Sequence, residues 1–194
     1  MDIETHRAPG TNLVYLRTLK CASTFYSELF LANGWIKQTT KDIDWNRDYV
    51  FSFIMDPYVR HIKGLVEDIV SLKIDQVLLD TFDEVIWSNL PWIGIHSIPI
   101  TMRLIDIYER IDWIPIDGEH PKHEDITDAL LKKYEIELDW GIDVPRNESD
   151  EYKHALFKKL LELSKFKHDK FNLYFKDQEL YKQALAKYQV KTYD

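Results

Sequence analysis

The sequence is poor in cysteine, glycine and proline. Cys21 is the single cysteine among 194 residues, which excludes an internal disulfide framework and a zinc site built from several cysteines. We therefore expect a reducing compartment, the cytoplasm. The 6 glycines and 7 prolines lie scattered between periodic segments, so collagen-like and low-complexity chains are also excluded.

Long apolar runs are absent as well. No stretch approaches the roughly 18 uncharged apolar residues that a membrane-spanning helix needs. The first residues include Asp2 and Glu4, and they lack the basic start and the apolar stretch of a secretory signal. We therefore predict neither a membrane span nor a membrane partner.

Positive charge is scarce relative to negative charge, with a formal net charge of −8. Phosphate contacts dominate the affinity of proteins for nucleic acids, so an acidic chain is a poor general nucleic-acid binder. An anionic ligand would have to be held by a local basic cluster. The content of hydrophobic residues, 45%, is typical of a globular protein, and no long flexible linker is visible. We predict a single domain over residues 1–194.

Hydrophobic periodicity predicts strands that alternate with helices. The apolar runs at residues 12–16 and 49–54 are typical of strands buried on both faces. A helix is expected after each, one from about Ser23 to Asn33–Gly34 and one beginning at Asp56–Pro57. Such interleaving favours an α/β fold with a mainly parallel sheet and a helical C-terminal part. A further strand is predicted at 112–116, with helices at 101–110, 126–134, 151–167 and 177–188.

The stretch from residue 13 to residue 24 combines a buried strand, a tight turn and a helix start. Backbone N–H groups at a helix N-terminus bind anions, and Lys20 adds a full positive charge. Ser23 and Thr24 can donate hydroxyl hydrogen bonds to the same ligand. The nucleotide-triphosphate loop G-x-x-x-x-G-K-[ST] is absent, because no glycine lies between Gly10 and Gly34, which argues against an ATPase or GTPase. An ordinary helix start capped by a hydroxyl explains the stretch equally well.

These residues resemble a known family. Lys20-Cys-Ala-Ser-Thr24 after a strand is similar to the 5′-phosphosulfate loop of carbohydrate-type sulfotransferases. Phe51-Ser-Phe-Ile-Met-Asp-Pro-Tyr-Val-Arg60 resembles the family's 3′-phosphate element, and His96-Ser-Ile-Pro99 resembles its His-x-x-Pro element. Asn147-x-Ser149 and Asp177-x-x-Leu-Tyr181 are similar to its usual ending. The resemblance covers residues 12 to 181 in the right order.

The resemblance implies a P-loop-like sulfotransferase fold, a mainly parallel sheet flanked by helices. It implies a sulfotransferase that uses 3′-phosphoadenosine 5′-phosphosulfate, releases 3′,5′-ADP and requires no metal. The acceptor would be a hydroxyl group, most readily that of a carbohydrate. Better-known members are anchored in secretory membranes, so a small soluble member fits a bacterial or viral cytoplasm. The acceptor's identity and the oligomeric state are left open.

Site residues follow from the matched positions. Lys20 would stabilise charge on the leaving 3′,5′-ADP, and the loop Lys20, Cys21, Ala22, Ser23 and Thr24 would hold the 5′-phosphate. Arg60 would hold the 3′-phosphate. The family's first arginine of that element is replaced by Met55 and its serine by Lys63. Methionine cannot donate a hydrogen bond, so Lys63, assisted by Arg60 or Arg146, would have to restore the lost contact.

The acceptor hydroxyl needs a general base. His96 is the first candidate, since imidazole titrates near neutrality. Glu67 is the rival, on the helix that carries Arg60 and Lys63. The histidines at 120 and 123 fit a polar turn better than a metal site, because Pro121 interrupts a regular helix there.

Two alternative functions remain at this point. A degenerate relative would bind a nucleotide or glycan without catalysis, and an atypical P-loop kinase would prefer ATP with magnesium. Trp87 and Trp92 could form a platform for a sugar ring or simply pack in the protein.

Overall fold

The computed structural model describes residues 2–71, 94–117, 120–144, 151–164 and 174–191. The chain divides into two compact units. The first, here the sheet unit, comprises Met1–Met55, Ile105–Asn147 and Leu180–Asp194. The second, here the helical unit, comprises Asp56–Leu104 and Glu148–Glu179. The prediction of a single domain stays a prediction.

The sheet unit contains a five-stranded sheet with the order β3-β1-β2-β4-β5. Strand β2 pairs in parallel with β4, and β4 pairs in parallel with β5. Strand β1 pairs antiparallel with both β2 and β3. The strands are β1 (Glu4–Arg7), β2 (Leu13–Leu16), β3 (Ile36–Thr39), β4 (Tyr49–Ile54) and β5 (Asp112–Pro115).

The predicted mainly parallel, P-loop-like sheet is wrong, because half of the four strand pairings are antiparallel. The fold is α/β with a mixed sheet. The two strands that sequence reasoning missed, β1 and β3, are rich in polar residues and only four residues long. Strand β3 lies at the sheet edge with no fully buried position, so it shows no apolar run from which a strand could be predicted.

The predicted strands at residues 12–16, 49–54 and 112–116 are confirmed as β2, β4 and β5. Helix α1 (Ser23–Ala32) also forms where it was predicted. Asn33 follows it, and Gly34 takes a left-handed φ of +80°, the conformation that glycine adopts without strain at a helix end. Tyr26 of α1 stacks on Phe53 of β4 with ring centroids 3.7 Å apart, so aromatic packing joins α1 to the sheet.

Helix α2 (Pro57–Ser71) begins the helical unit. Asp56 Oδ1 accepts hydrogen bonds from the backbone N–H groups of Tyr58 at 2.9 Å and Val59 at 3.0 Å. This confirms the predicted Asp–Pro helix start. The apolar stripe of α2 packs on helix α5 (Glu151–Ser164), and the two helices together bury one hydrophobic cluster. Its buried members are Tyr58, Ile62, Leu65, Val66, Ile69, Leu156 and Leu160.

The remaining helices, numbered in chain order, are α3 (Ile100–Arg103), α4 (His123–Lys132), α5 (Glu151–Ser164) and α6 (Phe175–Tyr188). The unit boundary after Glu179 falls within α6. The predicted helix at 101–110 is wrong in part: α3 ends at Arg103, and a separate 3₁₀ turn covers Tyr108–Arg110. Two β-branched isoleucines and an aspartate lie between them, all weak helix formers. Across the described ranges, no helix has both the length and the apolar character required to cross a membrane.

Candidate functional site

The helical unit holds residues 94–101, here the His96 segment, through side chains from α2, from α6 and from Tyr174 just before α6. The segment is irregular from Gly94 to Pro99 and ends in the first residues of α3. Irregular backbone inside a protein must find hydrogen-bond partners outside regular secondary structure. Here those partners include buried polar side chains that are far away in sequence.

Asp68 of α2 is the central partner, only 3% exposed. Its Oδ1 accepts hydrogen bonds from the His96 imidazole Nδ1 at 2.8 Å and from the His96 backbone N–H at 3.3 Å. Its Oδ2 accepts from the Ser97 backbone N–H at 3.0 Å and the Ser97 hydroxyl at 2.6 Å. Four donors on one carboxylate compensate the cost of burying its charge.

The contact with Asp68 sets the chemistry of His96. An ionised carboxylate only accepts hydrogen bonds, so Nδ1 carries the proton and Nε2 of the neutral ring carries a lone pair. The His96 side chain is 25% exposed. In the part of the chain that the structure describes, Nε2 has no hydrogen-bond partner. This arrangement can accept a proton at Nε2 while Asp68 stabilises the resulting imidazolium.

Two glycines make the close approach of α2 to the His96 segment possible. A Cβ atom at Gly64 would lie 2.2 Å from the backbone oxygen of His96 and 2.7 Å from Cα of Ser97. A Cβ atom at Gly94 would lie 2.6 Å from Asp68 Oδ1. Both positions therefore require the absence of a side chain.

The carbonyl groups of Ser97 and Ile98 accept hydrogen bonds from other buried side chains. The Tyr174 hydroxyl donates a hydrogen bond to the Ser97 carbonyl oxygen, and His61 Nδ1 lies 2.7 Å from the same hydroxyl. Arg60 Nη1 donates to the Ile98 carbonyl oxygen at 2.9 Å. Burial lowers the pKa of His61 to about 4, so its imidazole is neutral at physiological pH.

The end of the segment is held by Asp177, in the first turn of α6. Its carboxylate accepts hydrogen bonds from the backbone N–H groups of Ile100 at 2.7 Å and Thr101 at 2.9 Å. The Thr101 hydroxyl donates to it at 2.6 Å. Asp177 therefore caps α3 through a long-range contact.

The sheet unit contains the loop predicted to bind the 5′-phosphate. Lys20 and Ala22 both adopt left-handed backbone conformations, with φ of +63° and +52°. Cys21 and Ser23 are buried, and α1 begins at Ser23 with no acidic residue in its first turn. Turns that combine right- and left-handed residues direct consecutive N–H groups to one side and favour anions. The loop thus keeps two features of an anion site, a helix start and a lysine.

Arg60, Lys63 and Glu67 lie in the helical unit. Arg60 is fully buried at 0% exposure, whereas Lys63 is exposed. Glu67 is half-buried and pairs with Lys153 of α5 at 3.3 Å. Met55, at the end of the sheet unit, is buried. Arg146, Asn147, Ser149, Trp87 and Trp92 lie outside the described residues.

Sequence reasoning found His96 but missed Asp68. A signal for Asp68 is nevertheless present in α2, where His61, Gly64 and Asp68 follow the spacing i, i+3, i+7 and share one helix face. A polar and small-residue stripe of this kind, next to an apolar stripe, indicates a second buried contact surface.

Within the described ranges, no three His, Cys, Asp or Glu side chains lie close enough together to hold a metal ion. The sequence matches no family model, no curated protein and no solved structure.

Proposed function

We propose that the protein transfers a sulfuryl group from 3′-phosphoadenosine 5′-phosphosulfate to an acceptor hydroxyl, with His96 as the general base. The observation that carries this proposal is the hydrogen bond between Asp68 and His96 Nδ1. It leaves a lone pair on Nε2 of a partly exposed ring, which is what removal of a hydroxyl proton requires.

In the proposed step, His96 Nε2 takes the proton of the acceptor hydroxyl as that oxygen bonds to sulfur. The bond between sulfur and the bridging oxygen of the donor breaks, and its electron pair leaves with 3′,5′-ADP. The imidazolium that forms is stabilised by the Asp68 carboxylate at 2.8 Å. The proton is later released to water.

The donor's 5′-phosphosulfate is proposed to bind the loop from Lys20 to Thr24. The left-handed conformations of Lys20 and Ala22 and the start of α1 at Ser23 support an anion site there. Lys20 would stabilise the charge that develops on the leaving group. A carbohydrate acceptor and a bacterial or viral cytoplasmic setting remain part of the proposal.

A second candidate function, nucleotide or glycan binding without transfer, is favoured by Arg60. Its guanidinium is fully buried and donates to the Ile98 carbonyl oxygen, and the first arginine position of the 3′-phosphate element is occupied by the apolar Met55. A protein with this element altered would bind the donor only weakly and would lose transfer.

Calorimetry with 3′,5′-ADP tests the donor site. We expect binding to the wild type that weakens at least tenfold in Lys20→Ala, because a charged hydrogen bond contributes about 1.5–3 kcal/mol, and that weakens with salt. Lys182→Ala, which removes an exposed lysine of the sheet unit, is the matched control. Lys63→Ala should also reduce affinity if Lys63 replaces the missing arginine contact. A preference for ATP with magnesium would instead support a kinase.

Transfer of radiolabelled sulfuryl groups to a panel of sugars tests the base. We expect His96→Gln to lower kcat by about 10²–10⁴-fold while 3′,5′-ADP affinity is retained. Glu67→Gln, which removes the rival base, should change kcat little. The reverse ranking would assign the base to Glu67. Donor binding without transfer to any sugar would favour the second candidate function.

A further inference from the structure

We propose that Arg60 and Tyr174 are positioning residues, which hold the two carbonyl groups after His96 and thereby fix its imidazole on Asp68. This inference rests on the proposed role of His96. It gives Arg60 a task different from binding the donor's 3′-phosphate.

Arg60 lies in the first turn of α2 and reaches a residue 38 positions further along the chain. Burial of a guanidinium is unfavourable unless its N–H groups are bound. Arg60 is nevertheless 0% exposed, and its Nη1 donates to the Ile98 carbonyl oxygen at 2.9 Å. A side chain in this position acts on protein backbone, since a phosphate in solvent cannot reach it without a rearrangement.

Tyr174 acts on the preceding carbonyl group. Its hydroxyl donates to the Ser97 carbonyl oxygen from 77 positions away and also meets His61 Nδ1 at 2.7 Å. Burial raises the pKa of Tyr174, so the hydroxyl keeps its proton and remains a donor.

With these contacts, both N–H and carbonyl groups of the backbone around His96 are hydrogen-bonded to buried side chains. The Asp68 carboxylate accepts hydrogen bonds from the backbone N–H groups of His96 and Ser97. Tyr174 and Arg60 donate hydrogen bonds to the carbonyl groups of Ser97 and Ile98, respectively. Each of the four consecutive peptide groups from 95–96 to 98–99 is thus held by one hydrogen bond, which fixes the backbone orientation, and backbone orientation restricts the side-chain rotamer. The imidazole then bonds the Asp68 carboxylate only through Nδ1. Without the carbonyl contacts, the ring would exchange between orientations and tautomers.

Nitrogen NMR of the full chain with ¹⁵N-labelled histidine tests the proposal. The His96 signals are assigned by their loss in His96→Gln. In the wild type we expect one tautomer, with a protonated Nδ1 and an unprotonated Nε2. In Tyr174→Phe, which removes only a hydroxyl, we expect intermediate shifts of the two nitrogens and a kcat lowered about tenfold or more with less change in KM.

Tyr181→Phe is the matched control. Tyr181, like Tyr174, is buried. Its hydroxyl donates a hydrogen bond to the Asp117 carboxylate at 2.7 Å, away from the His96 segment. Its loss should leave the His96 signals unchanged. Arg60→Lys, which keeps the charge but not the planar donor fork, should shift the tautomer ratio in the same direction as Tyr174→Phe.

Wild-type His96 signals in a folded Tyr174→Phe variant would overturn the proposal, as would equal effects of Tyr174→Phe and Tyr181→Phe. If Arg60→Lys does not fold, the Tyr174→Phe comparison decides. The NMR readout needs no donor or acceptor. A failure of sulfuryl transfer in the wild type would therefore contradict the proposed function and leave this result standing.

Discussion

The two segments with proposed roles are held in place in opposite ways. In the sheet unit, the loop that contains Lys20 joins β2 directly to α1, so its ends are fixed by elements adjacent in sequence. In the helical unit, the His96 segment is held by Asp68, Tyr174 and Asp177, at sequence separations of 28 to 77 residues.

This difference shows which kind of site a sequence reveals. A loop between a strand and a helix is specified by neighbouring residues, and small changes in it have local effects. A segment held by distant buried groups depends on the tertiary structure of its whole unit, and a change in one partner leaves the other buried and unsatisfied. We therefore expect substitutions around His96 to affect stability more than substitutions in the Lys20 loop.

The largest effect is expected from Gly64→Ala. The added Cβ would lie 2.2 Å from a backbone oxygen and 2.7 Å from a backbone carbon, and neither can move without displacing the His96 segment. Overpacking of this kind costs about 3 kcal/mol, measured as a lower midpoint in urea unfolding. Gly141→Ala is the control, because its Cβ would meet only the side-chain oxygen of Asp139 at 3.1 Å. Equal midpoints for the two variants would contradict the close approach.

A second large effect should depend on pH. His61 has a folded pKa of about 4 against an ordinary value of 6.5, so between these values the unfolded chain binds a proton that the folded chain does not. The free energy of unfolding therefore falls as pH decreases from 6.5 to 4, by about 3 kcal/mol. His61→Gln should lose this contribution, whereas His154→Gln on the exposed face of α5 should follow the wild type. Urea unfolding at several pH values measures both, and parallel curves for wild type and His61→Gln would refute the assignment.

The two buried carboxylates allow a sharper comparison. Asp68→Asn and Asp177→Asn each replace a carboxylate oxygen by an N–H₂ group facing N–H donors, so each should cost about 2 kcal/mol. Only Asp68 touches the His96 ring. We therefore expect Asp68→Asn alone to abolish the single-tautomer pattern of His96, as read from histidine ¹⁵N shifts. The same spectral change in Asp177→Asn would mean that the whole segment, and not the carboxylate, sets the tautomer.

The smallest effect is expected in the sheet unit. Ala22 has a φ of +52°, which is unfavourable for any residue with a Cβ and natural for glycine. Ala22→Gly should leave stability unchanged or raise it by up to about 1 kcal/mol, and Ala22→Val should lower it. Thermal unfolding of the three proteins gives the ranking. A stability of Ala22→Val above that of Ala22→Gly would exclude the left-handed conformation.

The local elements could be predicted because their signals are local. The apolar run of β4 and the Asp56–Pro57 helix start appear in the sequence as they do in the structure. The mixed sheet could not be predicted, because β1 and β3 carry mostly polar residues and their pairing, with each other and of β1 with β2, depends on contacts between separate segments. Asp68 and Tyr174 could not be assigned to His96 either, since their contacts depend on how distant segments pack.

The hydrogen bonds that fix the His96 segment also restrict the opening of its backbone. The amide protons of Ser97, Ile100 and Thr101 are bound by buried carboxylates, so they can exchange with solvent only when those contacts open. Although residues 94–99 belong to no helix or strand, the Ser97 amide should exchange as slowly as amides in the middle of α2. The segment thus combines an irregular backbone with the slow exchange that is usual for regular secondary structure.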